Sequence, residues 1–313
     1  MENTLKILLT IILVLSLIPA VVPLPPAWIW LLTLANYFTL LSASWNLIMG
    51  YTGQFSFAHT GLLAVGGYTS VLLYAHANIH PLIGLMIGGI MASVLGFVLG
   101  LVSMRLKGIY LALTTFGFSM IIYRVVVAEY GITGGKAGFK TAFLLERSPY
   151  LARMEYYYVS LFILATSLIL MYRLIKSKYG LFLQAIREDE EAAAAYGIDV
   201  TKMKIAAFLA SSFIVGIAGA FYAHLVGYIS PAIADLSVMT SIITLSVLGG
   251  LGTFLGPVFG GFVVWPLSEL IRSYSATYSQ IVFAAAIIFT LKFFRNGFVG
   301  LVEEIINRRS MVR

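Results

Sequence analysis

The chain has 313 residues, of which 60% are hydrophobic and 11% charged, and its mean hydropathy is +0.95. A water-soluble protein of this length has no way to hide that much apolar surface, so a membrane protein is implied. The absence of cysteine excludes disulfides, zinc–thiolate sites and cysteine nucleophiles, and the net charge of +7 sits between apolar runs instead of along a nucleic-acid-binding stripe.

In chain order, apolar runs at 5–22, 28–49, 54–75, 81–103, 108–128, 156–174, 204–227, 231–248, 254–272 and 279–295 predict an all-α polytopic membrane protein of about ten spans, some broken or re-entrant. The first run has the apolar centre of a signal peptide, yet Ile18-Pro-Ala-Val-Val-Pro offers no small-x-small cleavage site, so it reads as a retained anchor. Ten spans put both termini on one side. If that side is the cytoplasm, it holds Lys6, Arg105, Lys107, Arg173, Lys176, Lys178, Arg187, Lys202, Lys204, Lys292, Arg295, Arg308, Arg309 and Arg313, which is 14 of the 20 basic residues. Arg124, Lys136, Lys140, Arg147, Arg153 and Arg272 fall outside, and the bias satisfies the positive-inside rule.

The segment Gly50-Tyr-Thr-Gly-Gln-Phe-Ser-Phe-Ala-His-Thr-Gly brings Gln54, Ser56, His59 and Thr60 to membrane depth. Polar or irregular backbone is tolerated there when it lines a wet cavity or is buried in protein, so a translocation path and tight helix packing stand as alternatives. Thr114 and Thr115 pose the same choice, with a bond back to their own helix the favoured reading. His76 and His80 have the i, i+4 spacing of a metal pair but flank Asn78 and precede Pro81 in an apparent outer loop, and His224 reads as a satisfied buried histidine. Gly131-Ile-Thr-Gly-Gly-Lys136 is one residue too short for a phosphate-binding P-loop, and Ala137 replaces its hydroxyl.

Arg187-Glu-Asp-Glu-Glu-Ala-Ala-Ala-Ala-Tyr-Gly197 predicts a charged cytoplasmic docking helix with acids at its front, a thin alanine face, a left-handed stop at Gly197 and Asp199 capping the next helix. Farther on, Gly252, Gly256 and Gly260 recur every four residues, which predicts one helix face open to close packing, preceded by a tight bend at Leu248-Gly-Gly-Leu-Gly. Asp235 and Glu269 fall at span ends. No acidic residue lies mid-membrane, which disfavours an ion-coupled secondary transporter, while a channel stays open. No catalytic set and no metal cluster is legible.

Six segments taken together resemble the inner-membrane permease subunits of ATP-binding-cassette importers for branched-chain amino acids, of the LivM type. They are Gly50 to His59, Arg105 to Phe118, Thr133 to Gly138, Gly180 to Ile198, Phe208 to Ala223 and Leu248 to Pro257, in family order from roughly residue 30 to 265. The resemblance is less specific for substrate, since urea and short-chain amide permeases look similar. It implies a single permease domain over 1–313 with a cytoplasmic coupling loop at 175–203, in the cytoplasmic (inner) membrane of a prokaryote. It implies as partners a second homologous permease, two cytoplasmic ATPases carrying ATP and magnesium, and an extracytoplasmic binding protein, with no cofactor on this chain. By this resemblance Arg187, Glu188, Glu191, Ala192, Ala193 and Gly197 couple to the ATPase, and Gln54, Ser56, His59, Thr60, Thr114 and Thr115 are candidates for the substrate path. An ATPase-independent secondary transporter or channel is the competing reading.

Overall fold

In the computed structural model the described residues are helical apart from loops and one two-stranded antiparallel ladder between distant segments. Residues 2–21, 24–145, 147, 149, 152–293, 297, 298 and 300 are described, so Arg295, Arg308, Arg309 and Arg313, counted above on the cytoplasmic side, lie outside the described residues. The helices are α1 (Glu2–Val21), α2 (Pro26–Thr52), α3 (His59–Ala77), α4 (Pro81–Ser103), α5 (Gly108–Ala128), α6 (Tyr130–Thr133), α7 (Arg153–Lys176), α8 (Lys178–Glu188), α9 (Glu190–Ala195), α10 (Val200–Val226), α11 (Leu236–Gly250), α12 (Gly256–Phe259), α13 (Trp265–Tyr274) and α14 (Ala276–Phe293). Among the described residues α2, α4, α5, α7 and α10 are each long and apolar enough to cross a membrane, and Lys6–Pro19, Leu236–Gly250 and Ile281–Thr290 are shorter apolar stretches. The chain is therefore a polytopic helical membrane protein. Three of the apolar runs are interrupted: the one at 54–75 becomes helical only at His59, the one at 231–248 opens with a 3-10 turn over Pro231–Ala234 before α11, and the one at 254–272 contains a π-helical turn over Gly260–Val264.

The chain divides into two compact units. One comprises residues 47–156 and 173–240, and its centre is the packing of α10 against α4 and α3. Glycine makes that approach possible. A Cβ on Gly66 would run into the carbonyl of Gly216, one on Gly88 into the carbonyl of Gly66, and one on Gly219 into the carbonyl of Leu63. In lipid, where apolar side chains gain nothing by leaving the solvent, such close backbone contact and buried hydroxyls carry helix association. At one end of the unit β1 (Phe139–Lys140) pairs antiparallel with β2 (Tyr228–Ile229). His224 secures the same end. Its Nδ1 donates to the Ala142 carbonyl at 2.8 Å, so Nε2 is the acceptor for the Ser70 hydroxyl, also at 2.8 Å, and the histidine is the satisfied buried one expected. His80 caps α4 by accepting from the Leu82 N–H, while His76 is exposed on α3.

The other unit comprises residues 1–46, 157–172 and 241–313. Its core gathers Ala35, Leu245, Leu248, Val264 and Trp265, with Phe38 stacked on the Trp265 indole. Small polar residues join its helices: Asn36 Nδ2 donates to Ser160 Oγ at 2.9 Å, Ser42 and Ser246 share a 2.7 Å bond, and the Tyr157 hydroxyl donates to the Leu15 carbonyl at 2.7 Å. The tight bend is held by Asn46, whose Oδ1 accepts from Gly252 N–H and whose Nδ2 donates to the Thr253 carbonyl, both at 2.9 Å. Gly252 itself stands at φ +75° in that bend, ahead of α12. The single face of Gly252, Gly256 and Gly260 expected from their spacing is therefore corrected: the left-handed turn at Gly252 removes it from the helix. Gly256 and Gly260 do make close contacts, against the carbonyls of Gly250 and Leu245.

Candidate functional site

Two neighbouring features, both within the unit of residues 47–156 and 173–240, hold the candidate functional residues. The first is the break between α2 and α3. α2 stops because Gly53 turns left-handed at φ +71°, its N–H still reaching the Met49 carbonyl at 3.1 Å. Residues 54–57 then run without helical hydrogen bonds, and α5 supplies part of what they lack. The Phe57 N–H donates to Thr115 Oγ1 at 2.9 Å, the Ser119 hydroxyl donates to the Phe57 carbonyl at 2.8 Å, and the Gly61 N–H donates to Ser119 Oγ at 3.1 Å. Irregular backbone, buried in the protein, is thus satisfied by two hydroxyls one helical turn apart.

Gln54, Ser56, His59, Thr60 and Thr115 are brought together here, and all five are buried. Thr52 Oγ1 lies 3.3 Å from Gln54 Oε1, Ser56 Oγ accepts from the Ala58 N–H, and His59 Nε2 pairs with Ser211 Oγ at 3.1 Å. Thr114 is not part of the group. It is exposed and its hydroxyl bonds back to the Tyr110 carbonyl at 2.8 Å. Ser119 and Ser211 were missed from the sequence, although Ser119 follows Thr115 by four residues and so shares its helix face.

The second feature is the 177–199 segment. Ser177 caps α8, and Gly180, Leu183 and Ile186 form its buried face. The predicted single helix from Arg187 is in fact two. Asp189 is extended, with φ −154° and ψ 109°, and its Oδ1 accepts from the N–H groups of Glu191 at 2.9 Å and Ala192 at 3.0 Å. Aspartate favours this capping geometry over the helix interior, so the run of acids is cut at its second member. α9 then ends as expected: Gly197 stands at φ +85°, and Ile198 N–H reaches back to the Ala193 carbonyl at 3.1 Å. Asp199 caps α10 by accepting from the Lys202 N–H at 3.0 Å, and that bond, followed by the Lys202 side chain, holds its carboxyl below the ordinary value.

Of the residues expected to face a partner, Arg187, Glu188, Glu191 and Gly197 are exposed, Ala192 is half-buried, and Ala193 is buried at 3% exposure. Besides Glu191, the open surface of α9 is made by Ala194 and Ala195, continued past the helix end by Tyr196, which is 90% exposed. Arg187 turns toward its own chain, where Nη1 donates to the Gly50 carbonyl at 2.6 Å. Glu190 does likewise: Oε1 lies 2.8 Å from the Lys204 ammonium and Oε2 lies 3.5 Å from that of Lys107. Sequence separation hid these links.

The chain is thus a multi-pass helical membrane protein with a satisfied break between α2 and α3 and a capped, partly exposed two-helix segment between α7 and α10. The family of branched-chain amino acid transport system permease components matches residues 28–291, and the chain belongs to that family. It is 28% identical over 268 residues to the high-affinity branched-chain amino acid transport system permease protein LivM of Escherichia coli (strain K12), covering 78% of this chain and 63% of that relative. It is likewise 28% identical over 256 residues to a probable permease protein LivM of Methanocaldococcus jannaschii, covering 71% and 74%, and 26% identical over 252 residues to a probable LivH of the same organism, covering 78% and 79%. The chain thus spans under two thirds of the length of the Escherichia coli relative. No solved structure matches it.

Proposed function

We propose that this chain is the transmembrane pore subunit of an ATP-binding-cassette importer that brings branched-chain amino acids into a prokaryotic cell. The family match over residues 28–291 carries the reading. Both LivM and LivH proteins are among its relatives, which supports pairing with a second homologous permease. The α8–α9 segment then couples to one of two cytoplasmic ATPases, on which ATP and magnesium are held, and an extracytoplasmic binding protein delivers the substrate. In this topology the chain makes ten spans of the inner membrane with both termini in the cytoplasm.

Leucine, isoleucine and valine are zwitterions with apolar side chains, so their path needs neutral polar groups and apolar walls without a fixed charge to trap them. Gln54, Ser56, His59 and Thr60, on a segment that also carries Phe55 and Phe57, have that character. ATP binding draws the coupling helices together, and their motion turns the pore between inward and outward openings by rigid-body change. The chain itself makes and breaks no covalent bond.

The test is uptake by the complete importer reconstituted in proteoliposomes, against a panel of leucine, isoleucine, valine, urea and short amides. ATP-dependent uptake of the branched-chain amino acids is the expected result. Uptake of urea or amides alone would reassign the substrate, and uptake without ATP or ATPase subunits would replace the reading by a secondary transporter or channel. In the same assay Gln54→Leu and His59→Leu are expected to lower uptake with ATPase assembly retained, and unchanged uptake by both would leave these residues to packing.

A further inference from the structure

The last turn of α2 leaves carbonyl groups without helical donors, as every helix C-terminus does. One of them, at Gly50, takes the guanidinium of Arg187, a residue 137 positions away in the last turn of α8. Cations are favoured at this end of a helix by the dipole, and an arginine-to-carbonyl bond is charge-assisted. The approach is also close at the base of the side chain. Gly53, the left-handed residue that ends α2, is the point at which an added Cβ would come 3.3 Å from Arg187 Cγ. The break carrying Gln54 and Ser56 therefore begins against Arg187.

The other end of the same short stretch is also fixed. Glu190, three residues on, is held by the buried Lys204 at the start of α10 and by Lys107 at the start of α5. Asp189 between them caps α9 with two backbone bonds. Arg187, Asp189 and Glu190 thus leave little freedom for α9 to shift without pulling on Gly50.

We propose that Arg187 is a positioning residue that transmits movement of the α8–α9 segment to the α2–α3 break. This rests on the coupling role given to that segment above. An arginine is suited to the task because its planar fork spans the gap with little loss of freedom per bond formed, whereas a neutral side chain of the same length offers the carbonyl no donor of comparable strength.

The test compares wild type, Arg187→Ala, Arg187→Lys and Gly53→Ala in the complete importer in proteoliposomes, reading substrate taken up per ATP hydrolysed beside complex assembly by size-exclusion chromatography. Arg187→Ala is expected to lower that ratio at least about tenfold, the scale of one lost charge-assisted hydrogen bond, with the complex still assembled. Arg187→Lys, which keeps a donor and a charge, is expected to recover part of it, and Gly53→Ala to lower it from the opposite side of the contact. A wild-type ratio in Arg187→Ala overturns the proposal. If that variant does not assemble, Arg187→Lys decides, a lowered ratio supporting the proposal and an unaltered one overturning it. ATP-independent uptake by the wild type would instead bring down the functional reading itself, so the two failures are distinguishable.

Discussion

The ammonium of Lys204 lies 2.8 Å from Oε1 of Glu190, with 3% of the lysine side chain and 27% of the glutamate side chain exposed. A charge this deep is costly unless it is paired, and the partner here comes from the first turn of a different helix. Glu190→Gln is therefore expected to destabilise the purified protein by about 3 kcal/mol, because it strands the buried ammonium. Adding Lys204→Met to Glu190→Gln removes that charge and is expected to restore most of the loss. The measurement is a double-mutant cycle on detergent-purified protein by thermal unfolding, and strictly additive effects would show that the pair is not coupled.

Close helix packing gives a sharper test at glycine. The Cβ of Gly66→Ala would collide with the backbone of Gly216, where no side-chain rotation offers relief, whereas nothing lies within 4 Å of a Cβ on Gly117. Gly66→Ala is expected to cost about 3 kcal/mol or more, or to prevent accumulation of folded protein in the membrane. Gly117→Ala is expected to be neutral or to gain up to about 1 kcal/mol from helix propensity. Equal stability of the two variants, read by expression and unfolding midpoint, would contradict the α3–α10 contact.

What could be read in advance follows a physical division. The stop at Gly197, the cap at Asp199 and the break after Gly53 depend on chemistry within a few residues, so sequence sufficed for the stop and the cap and pointed to the irregular segment. Four adjacent alanines are chemically identical, and only tertiary packing decides that Ala193 turns inward while Ala194 and Ala195 turn out. The four acids from Glu188 to Glu191 also look alike in a row, yet one becomes a cap and another an ion-pair partner because Lys204 waits fourteen residues on. Periodicity misled at Gly252, where a bend clamped by Asn46 begins instead of a helix face. Thr115 does bond back to its own helix, as its residue type favours, donating to the Leu111 carbonyl at 2.8 Å, but its second role was not legible. Its hydroxyl, together with that of Ser119, satisfies the broken backbone of the α2–α3 segment, a pairing across 58 positions that no local pattern reports.

Membrane orientation is open to direct measurement because the chain has no cysteine of its own. Single cysteines at Lys178 and Lys202, both exposed, are expected to resist an impermeant thiol reagent in intact cells and to react in inverted vesicles. A cysteine at Lys136, in the loop between α6 and β1, is expected to show the opposite pattern. Labelling of Lys178→Cys from outside would invert the proposed topology.

The outward surface of α9 gives the last prediction. Ala193 is packed within its own chain, so Ala193→Trp is expected to destabilise the permease before any ATPase is present, and it is the wrong probe of docking. Ala194 and Ala195 are exposed, and Tyr196 beside them projects a 90% exposed aromatic ring past the end of the helix. Rigid, amphipathic tyrosines of this kind anchor protein interfaces, and small neighbours let a partner's surface close around the ring. Tyr196→Ala is therefore expected to weaken ATPase association about 30-fold, the equivalent of about 2 kcal/mol, and Ala194→Trp to weaken it by blocking close approach, while both variants fold and insert normally. Gly197→Val is expected to act more broadly, because its left-handed backbone strains any β-branched residue and shifts the whole end of α9. Binding of detergent-solubilised variants to the ATPase subunit, read beside unfolding midpoints, separates the two effects. If Ala194→Trp and Tyr196→Ala both bind with wild-type affinity, this face of α9 does not meet the ATPase, and the coupling contact must lie elsewhere on the segment.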